Sequence, residues 1–268
     1  MRAAPPFPRR IASSERMMWL TPQRVFYAGL LGEPSRHARG CLIVHVALEG
    51  LLTARVGSQA PATGEVVVVP PWVPYELSSG GRHAIGLLVE PETVRLDELP
   101  PLLRGCGVVD APALADHVRR CHQRLLAPGA LDALSPADFD PLFFGQALPS
   151  RELDPRVLAV LERLWREPAS GVSADDCARE AGLSFSRFLH LFKEQTGVPF
   201  RSLRSWKRAR SLLRYAAGAG NLVDVALDIG YPDASHFSHS IRQAYGLKPR
   251  DIVAGSRKLR VVEHRAAA

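Results

Sequence analysis

The first half of the chain consists of short apolar runs separated by turns. From Trp19 to Glu90, runs of six to eight residues alternate with glycine and proline; they read CLIVHVAL, LLTARV, EVVVVP and HAIGLLVE. Each run is too short for a typical helix, and the runs are rich in β-branched residues, which favour strands. The pattern predicts a β-roll, built as an all-β sandwich or a small barrel.

The pattern becomes helical after Pro91. Between Ala113 and Leu126, apolar residues recur at helical spacing on one face, which predicts an amphipathic helix. Because arginines flank this narrow apolar stripe, the helix either forms a dimer seam or packs on the β-domain. Proline, glycine and aspartate then interrupt 128–149, which predicts a linker, although its three phenylalanines favour packing against another part of the chain.

A helical segment that occurs twice organises the second half. Ser173 to Lys193 returns as Leu222 to Arg242, with an offset of 48 residues before the turn and 49 after it. Repetition at this spacing indicates one supersecondary unit used twice. The matching pairs are Gly182 with Gly230, Phe188 with Phe237, His190 with His239, Lys193 with Arg242, and Gly197 with Gly246.

Each copy is predicted to be a helix-turn-helix. In the first, Ser173 caps a helix, with Asp176 in the position of an acidic capping box. Ala181 to Ser184 supplies a turn and a new N-cap, and the second helix buries one face and presents the other. A helix through Trp165, opened by Asp154-Pro155, precedes the first copy. Between the copies, Phe200 to Ala217 is predicted to be a helical rod of about 25 Å.

The net positive charge of the chain lies in this second half. The chain has a net charge of +7; residues from 151 onward carry 20 Lys and Arg against 13 Asp and Glu, whereas residues 1–150 carry 14 of each sign. A basic half joined to a neutral half is typical of nucleic-acid binding, because neutralising phosphates supplies most sequence-independent affinity. Double-stranded DNA is therefore the expected partner, and each second helix is expected to enter a major groove.

Exposed faces of the two second helices, together with the helical rod between the copies, supply the predicted DNA contacts. Residues expected to contact bases are Ser186, Leu189, His190, Ala234, Ser235, Ser238 and His239. Residues expected to contact phosphates, and so to set register and salt dependence, are Arg187, Lys193, Arg201, Arg204, Lys207 and Arg242.

These motifs resemble the AraC/XylS class of bacterial transcription regulators. The resemblance covers roughly Asp154 to Ile252 and rests on A-x-x-A-G-L-S from Ala178, F-L-x-L-F-K-x-x-T-G from Phe188, W-K-R in the rod, D-V-A-x-x-x-G-Y from Asp224 and S-H-F-S from Ser235. It implies sequence-specific promoter binding, RNA polymerase as a partner, and an N-terminal cupin-like domain for an effector or for dimerisation. Activation is the expected mode, with repression left open.

The expected fold class is α+β: an N-terminal cupin-like β-roll or barrel with flanking helices, then an all-α domain with two helix-turn-helix units joined by a linker helix. The predicted segments are a disordered leader (1–16), with a true start at Met17 or Met18, a sensory or dimerisation domain (17–127), a linker (128–152), a DNA-binding domain (153–255) and a tail (256–268).

Two histidines depart from the family pattern. His190 and His239 occupy positions that are usually arginine in proteins of this class. Arginine can bind guanine with two hydrogen bonds, whereas neutral imidazole forms one bond through each nitrogen. We therefore expect DNA affinity to rise below about pH 6.5, where an unperturbed histidine becomes charged.

The N-terminal half carries no recognisable catalytic constellation. Its histidines at 37, 45 and 83 are isolated, no H-x-H occurs, and no G-x-S-x-G elbow or phosphate-binding glycine loop is present. The sequence predicts a non-enzyme without metal or other cofactor. Weak candidates for binding a small-molecule effector are His45, Arg55, Trp72 and Tyr75.

Three functions remain open from the sequence: a ligand-responsive transcription regulator, a ligand-independent regulator whose β-domain only dimerises, and a cupin enzyme with a DNA-binding tail. A homodimer is compatible with the first two. The four cysteines form no C-x-x-C pair, which argues against a zinc knuckle or a disulfide framework. No apolar run reaches the length of a membrane span, so no membrane partner and a cytoplasmic location are expected.

Overall fold

The computed structural model describes residues 15–167, 171–215, 222–255 and 259–264. The predicted leader lies outside the described residues except for Glu15 and Arg16. Within the described parts, a seven-stranded sheet has the order β10-β1-β2-β8-β3-β6-β9. Its strands are β1 (Met17–Leu20), β2 (Arg24–Leu30), β3 (Leu42–Ala47), β6 (Val66–Val69), β8 (His83–Val89), β9 (Gly107–Val109) and β10 (Arg260–Glu263).

A smaller sheet lies beside the first. Its three strands, in the order β5-β4-β7, are β5 (Ala62–Gly64), β4 (Leu52–Val56) and β7 (Tyr75–Ser79). Residues of β4 alternate between buried and exposed, as expected where one face of a strand meets solvent. In contrast, every residue of β3 and β8 is buried. The large sheet is therefore covered on both faces at these strands, which explains the unbroken apolar runs.

The two faces of the large sheet belong to two hydrophobic clusters. Because neighbouring strand residues point to opposite faces, Trp19 and Phe26 join one cluster while Met18 and Val25 join the other. The first cluster packs under α1 (Pro112–Leu125) and α2 (Phe139–Phe144). The second continues into the smaller sheet and the helical half, so the β-domain and the helices share one core.

The structure decides between the two alternatives for α1 and shows the packing expected of the segment that follows it. The apolar stripe of α1 is buried within the chain, including Val118 and Cys121 at 0% exposure, so this stripe is not a dimer seam. The predicted linker packs against the sheet, as its phenylalanines indicated. Phe143 stacks on Phe26 with ring centroids 4.9 Å apart, and Phe139 lies 5.3 Å from Trp19, because burying these aromatic rings stabilises the segment against the sheet.

The helical half follows in chain order. Its helices are α3 (Pro155–Arg166), α4 (Ala174–Glu180), α5 (Phe185–Thr196), α6 (Phe200–Arg210), α7 (Leu222–Asp228), α8 (Ala234–Tyr245) and α9 (Pro249–Gly255). The predicted rod is shorter than expected: α6 ends at Arg210 and continues as a 3₁₀ helix over Ser211–Tyr215. The end of that rod, 216–217, lies outside the described residues. Every described helix is too short or too polar to cross a lipid bilayer.

The described part of the predicted tail contains a strand. β10 pairs in parallel with β1, placing Met17 opposite Arg260 and Leu20 opposite Glu263. Trp19 Nε1 donates to His264 Nδ1 at 2.8 Å. The chain therefore returns from its last helix to the edge of the first sheet. The architecture predicted from the sequence, a sheet-rich domain followed by a helical domain with two helix-turn-helix units, is confirmed.

Candidate nucleic-acid interface

The first helix-turn-helix consists of α4 and α5, and local signals fix its ends. Ser173 caps α4, with its Oγ accepting from the Asp176 N–H at 3.0 Å. Ser184 caps α5 by accepting from the Arg187 N–H. Phe188 and Phe192 lie on the buried face of α5. These caps satisfy backbone donors that a helix start leaves without partners, so both helices begin where the sequence predicts.

The second unit consists of α7 and α8. Asp233 caps α8 more strongly than Ser184 caps α5, because its Oδ1 accepts from two backbone N–H groups, those of Ser235 and His236, each at 2.8 Å. Phe237 and Ile241 lie on the buried face of α8. The carboxylate also complements the positive end of the helix dipole. This cap was missed from the sequence, although an aspartate directly before the helix was its signal.

The turns of the two units have the same backbone geometry. Gly182 and Gly230 both adopt positive φ, 64° and 82°. The N–H of the next residue bonds back to an equivalent carbonyl, Leu183 to Ala178 and Tyr231 to Ala226, each at 2.9 Å. Positive φ favours glycine, which has no Cβ. The predicted repeat is therefore a structural repeat, and each unit is a helix-turn-helix.

The outward faces of α5 and α8 are accessible. Of the residues predicted to contact bases, Leu189 and Ser238 are partly buried, and the others are exposed: Ser186, His190, Ala234, Ser235 and His239. Both helices have 12 residues, or about 18 Å. A major groove about 12 Å wide admits such a helix. These faces have the form of recognition surfaces, and their contacts with bases stay a prediction.

The predicted phosphate contacts fall into two groups. Those exposed are Arg187, Lys193, Arg201 and Arg242. Arg204 is partly buried and donates to the Val172 carbonyl at 2.5 Å. The prediction for Lys207 is wrong: its side chain is 3% exposed and forms ion pairs with Glu90 and Glu92. Lys207 lies on the face of α6 that packs on the β-domain, where phosphate cannot reach it.

Around Lys207 lies a buried cluster of charged groups that joins the two domains. Glu90 also pairs with Arg210 at 2.7 Å and accepts a hydrogen bond from Trp206 Nε1 at 3.0 Å. Trp165 Nε1 donates to Glu92 Oε1 at 3.3 Å. The acids follow β8 and the cations lie on α6, more than 100 residues later. These acids could not be found from the sequence, because no local signal links such distant residues.

A cavity of about 930 Å³ separates the β-domain from the second helix-turn-helix. Two of the predicted effector residues line it, His45 and Tyr75, which lie 3.3 Å apart between Nε2 and the hydroxyl oxygen. Burial lowers the pKa of His45 well below its usual value and raises the pKa of Tyr75 to about 12. Both groups are therefore neutral at pH 7.

The other two predicted effector residues lie outside this cavity. Arg55 is exposed on the solvent-facing side of β4, and Trp72 lies beside Gly40 near the domain interface without lining the cavity. Cavity-lining residues that were missed from the sequence include His37 and Arg39, in the connection between β2 and β3. Within the described ranges, no group of three or more His, Cys, Asp or Glu side chains could hold a metal ion.

Comparison with known proteins places the helical half in a family. Residues 177–254 match the family model described as "Helix-turn-helix domain". The invasion protein InvF of Salmonella typhi is 31% identical over 107 residues, which are 36% of this chain and 50% of InvF. The HTH-type transcriptional activator RhaS of Escherichia coli is 36% identical over 96 residues, 34% of each chain. The chain thus spans at most half the length of these relatives.

A solved structure matches nearly the whole chain. The crystal structure of an apo ToxT variant from Vibrio cholerae aligns with a TM-score of 0.57 at 13% identity, covering 87% of this chain and 97% of that one. At this identity the likeness concerns the fold, a sheet-rich domain followed by a helical one. Together with the family match and the repeated helix-turn-helix geometry, it shows that the chain has a sheet-rich domain followed by a helical domain whose residues 177–254 belong to a helix-turn-helix family.

Proposed function

We propose that this protein is a sequence-specific DNA-binding transcription regulator that inserts α5 and α8 into successive major grooves of a promoter. The observation that carries the proposal is the repeat itself: two helix-turn-helix units with equivalent turns and accessible second helices. Recognition helices read bases mainly through residues near their N-termini. Ser186 in α5, and Ala234 and Ser235 in α8, occupy such positions.

The linker helix α6 supports simultaneous binding by both units. It contacts both α5 and α8, and buries Leu203, Trp206 and Ala209. A packed helix holds its neighbours at a fixed separation, and successive major grooves on one face of DNA lie about 34 Å apart. One chain therefore carries both reading elements, and a monomer would contact two grooves.

The exposed cations are suited to positioning the protein on DNA. Arg187 and Lys193 flank the outward face of α5, and Arg242 has the equivalent place on α8. Phosphate contacts fix register and orientation, whereas base contacts select sequence. Each phosphate neutralised adds a salt-dependent contribution to affinity. We expect these side chains to control the salt dependence and His190 and His239 to influence sequence preference.

We further propose that a small-molecule effector controls DNA binding. The cavity between the β-domain and the second unit supports it, because a ligand there would touch both domains. Dimerisation through the β-domain, contact with RNA polymerase and activation rather than repression follow from the resemblance and from relatives such as RhaS, whose name describes a transcriptional activator. A regulator of a bacterial chromosome would act in the cytoplasm.

Selection from a random DNA pool tests the proposal. The full chain should enrich two half-sites about one helical turn apart, 10–10.5 base pairs centre to centre. Ser186→Arg should change the preference in one half-site and Ser235→Arg in the other. Arg104→Ala, an exposed substitution in the β-domain, is the matched control and should leave both half-sites unchanged. Enrichment of one short site, or of no site, would contradict the two-groove proposal.

A further inference from the structure

The cavity between the domains has walls that are mostly apolar. Met18 and Val25 from the large sheet and Leu77 from the small sheet face it, and Leu247 and Ile252 close it from the helical side. Its volume, about 930 Å³, is within the range of small-molecule sites, roughly 300–1,000 Å³. The cavity therefore suits a ligand with an apolar skeleton. The polar groups of the lining determine which polar groups such a ligand should carry.

One of these polar groups is a cation without a counter-ion. Arg39 forms no ion pair among the described residues, and its buried Nε–H has no acceptor there. Every Asp and Glu of the sequence lies within the described ranges, so no acidic side chain is left out of account. The guanidinium stacks over the ring of Tyr245, 5.0 Å from its centroid. Arg39 is partly buried, but its Nε–H is withdrawn from water, and a buried donor is stable only when an acceptor compensates it.

Arg16 adds a second donor to the same cavity. Its Nε–H is also buried and finds no acceptor in the described part of the chain. Two guanidinium groups with unused N–H donors suit an anionic oxygen pair, because charge-assisted hydrogen bonds to carboxylates are among the strongest that arginine forms. Arg82, another cation of the lining, differs because it pairs with Glu33 at 2.7 Å.

His37, in contrast to the two arginines, has an unused hydrogen-bond acceptor. Its Nδ1 lies 2.9 Å from the Ser35 carbonyl oxygen, which only accepts, so Nδ1 carries the proton. Burial, with a further contribution from the Arg39 charge, lowers the pKa of His37 to about 4, so the ring is neutral at pH 7. The lone pair on Nε2 is buried and meets no donor among the described residues.

We propose that the cavity binds an organic acid with an apolar skeleton, whose carboxylate pairs with Arg39 and Arg16 and whose hydroxyl or N–H group donates to Nε2 of His37. A simple hydrocarbon acid leaves the His37 acceptor without a partner, and a neutral alcohol leaves the two guanidinium groups uncompensated. The complementary ligand carries both groups.

Binding at this site bears directly on the second recognition helix. Ser35 Oγ donates to the Gly246 carbonyl at 2.9 Å, and the Ala38 N–H reaches the Gln243 carbonyl at 3.5 Å. The segment that holds His37 and Arg39 therefore touches the C-terminal end of α8 at several points. This regulatory consequence rests on the proposed function, whereas the ligand class itself rests on the cavity alone.

Calorimetric titration of the full chain with three related probes tests the ligand class. The probes are 6-hydroxy-2-naphthoic acid, 2-naphthoic acid, which lacks the hydroxyl, and 2-naphthol, which lacks the carboxylate. We expect the hydroxy acid to bind most tightly and the loss of either group to weaken binding about tenfold or more, the usual effect of leaving a buried partner unsatisfied.

Variants assign each effect to a residue. Arg39→Gln should remove the advantage of the hydroxy acid over naphthol, and Arg39→Lys should retain it because the charge remains. His37→Phe should remove the advantage of the hydroxy acid over naphthoic acid. Arg36→Gln is the matched control; Arg36 is exposed, bonds to the Gly57 carbonyl and lies outside the cavity lining. Thermal melts of each variant establish that it is folded.

Three outcomes would overturn the proposal. The first is that naphthol binds as tightly as the hydroxy acid, the second that Arg39→Gln in a folded protein leaves the ratio of affinities unchanged, and the third that none of the probes binds at millimolar concentration. DNA binding is measured separately by gel shift without probe. Failure there, with ligand selectivity intact, would count against the proposed function and leave the assignment of the cavity standing.

Discussion

At the scale of single residues, two buried histidines make the stability of the fold depend on pH. Burial lowers the pKa of His37 to about 4 and that of His45 well below its usual value. In the unfolded chain both titrate near 6.5. Between these values the unfolded state binds more protons than the folded state, so the stability is fully present above about pH 6.5 and declines as pH falls toward 4.

The measurable consequence is a flatter pH profile when one histidine is removed. For His37, the shift corresponds to a loss of about 2 kcal/mol between pH 6.5 and pH 5 in the wild type. His37→Phe should lose less over that interval, as measured by urea unfolding at the two pH values. The control His236→Gln replaces an exposed histidine and should keep the wild-type slope. Parallel profiles for wild type and His37→Phe would contradict the prediction.

Two other histidines concern DNA rather than stability. His190 and His239 are exposed at equivalent positions of α5 and α8. An imidazole nitrogen can form a hydrogen bond with a base edge in the major groove, so the His190→Ala/His239→Ala variant should bind DNA less tightly than the wild type. Binding isotherms of the two proteins measure the loss. Equal affinities would exclude these residues from the interface.

At the scale of elements, the helix-turn-helix units could be predicted because their signals are local. Ser173 and Ser184 cap helices within three residues of the N–H groups they satisfy, and Gly182 provides positive φ where the turn needs it. Periodicity likewise indicated α1 and the buried strands. Each of these signals lies within a few residues of the structure it specifies, so one sequence suffices to find it.

Elements and contacts that depend on distant partners could not be predicted. The strand β10 exists because it completes the edge of β1, more than 240 residues earlier. The side chain of Lys207 faces Glu90 rather than DNA, although its helix is as basic as a phosphate-binding surface. Charge and periodicity describe a helix without saying which of its faces meets another domain. The same limit hid Arg39 and His37 as lining residues of the cavity.

The cap of α8 leads to a prediction for that element. Asp233 accepts two backbone N–H groups, so Asp233→Ala should destabilise the second unit by about 1 kcal/mol, within a range of 0.5–2. It should also weaken DNA binding, because the N-terminal turn of α8 carries Ala234 and Ser235. Thermal unfolding and gel shift measure the two effects. The control Asp228→Ala removes an exposed acid at the end of α7.

Asp228→Ala should be close to neutral, because an acid near a helix C-terminus opposes the helix dipole. If Asp233→Ala were as stable as this control, the two hydrogen bonds at the start of α8 would contribute nothing measurable. If stability fell without any change in DNA binding, the N-terminal turn of α8 would not belong to the interface.

At the scale of the whole molecule, the two domains are held together by three kinds of contact. A hydrophobic cluster runs from the sheets into the helices, β10 adds to the large sheet, and Arg214 from the 3₁₀ helix after α6 pairs with Glu263 of that strand at 2.8 Å. Between them lies the buried cluster around Glu90. Such continuity favours cooperative unfolding of the described body as one unit.

Removing the charge of Glu90 tests this coupling most directly. Glu90 is 1% exposed, and it compensates Lys207 and Arg210, which are themselves buried. Glu90→Gln keeps the size of the side chain but leaves buried cations without full compensation. Breaking one partner of a buried ion pair costs about 3–5 kcal/mol. The free energy of unfolding should fall by an amount of that order, measured by urea denaturation followed by circular dichroism.

Calorimetry shows whether this loss also separates the domains. The wild type should unfold in a single transition, and Glu90→Gln should broaden or divide it, because the helical domain loses its charged anchor on the sheet. The control Glu98→Gln removes an exposed acid that pairs with Arg95; surface pairs contribute about 0–1 kcal/mol, so it should behave as the wild type. Equal denaturation midpoints for the two variants would mean that the buried cluster does not hold the domains together.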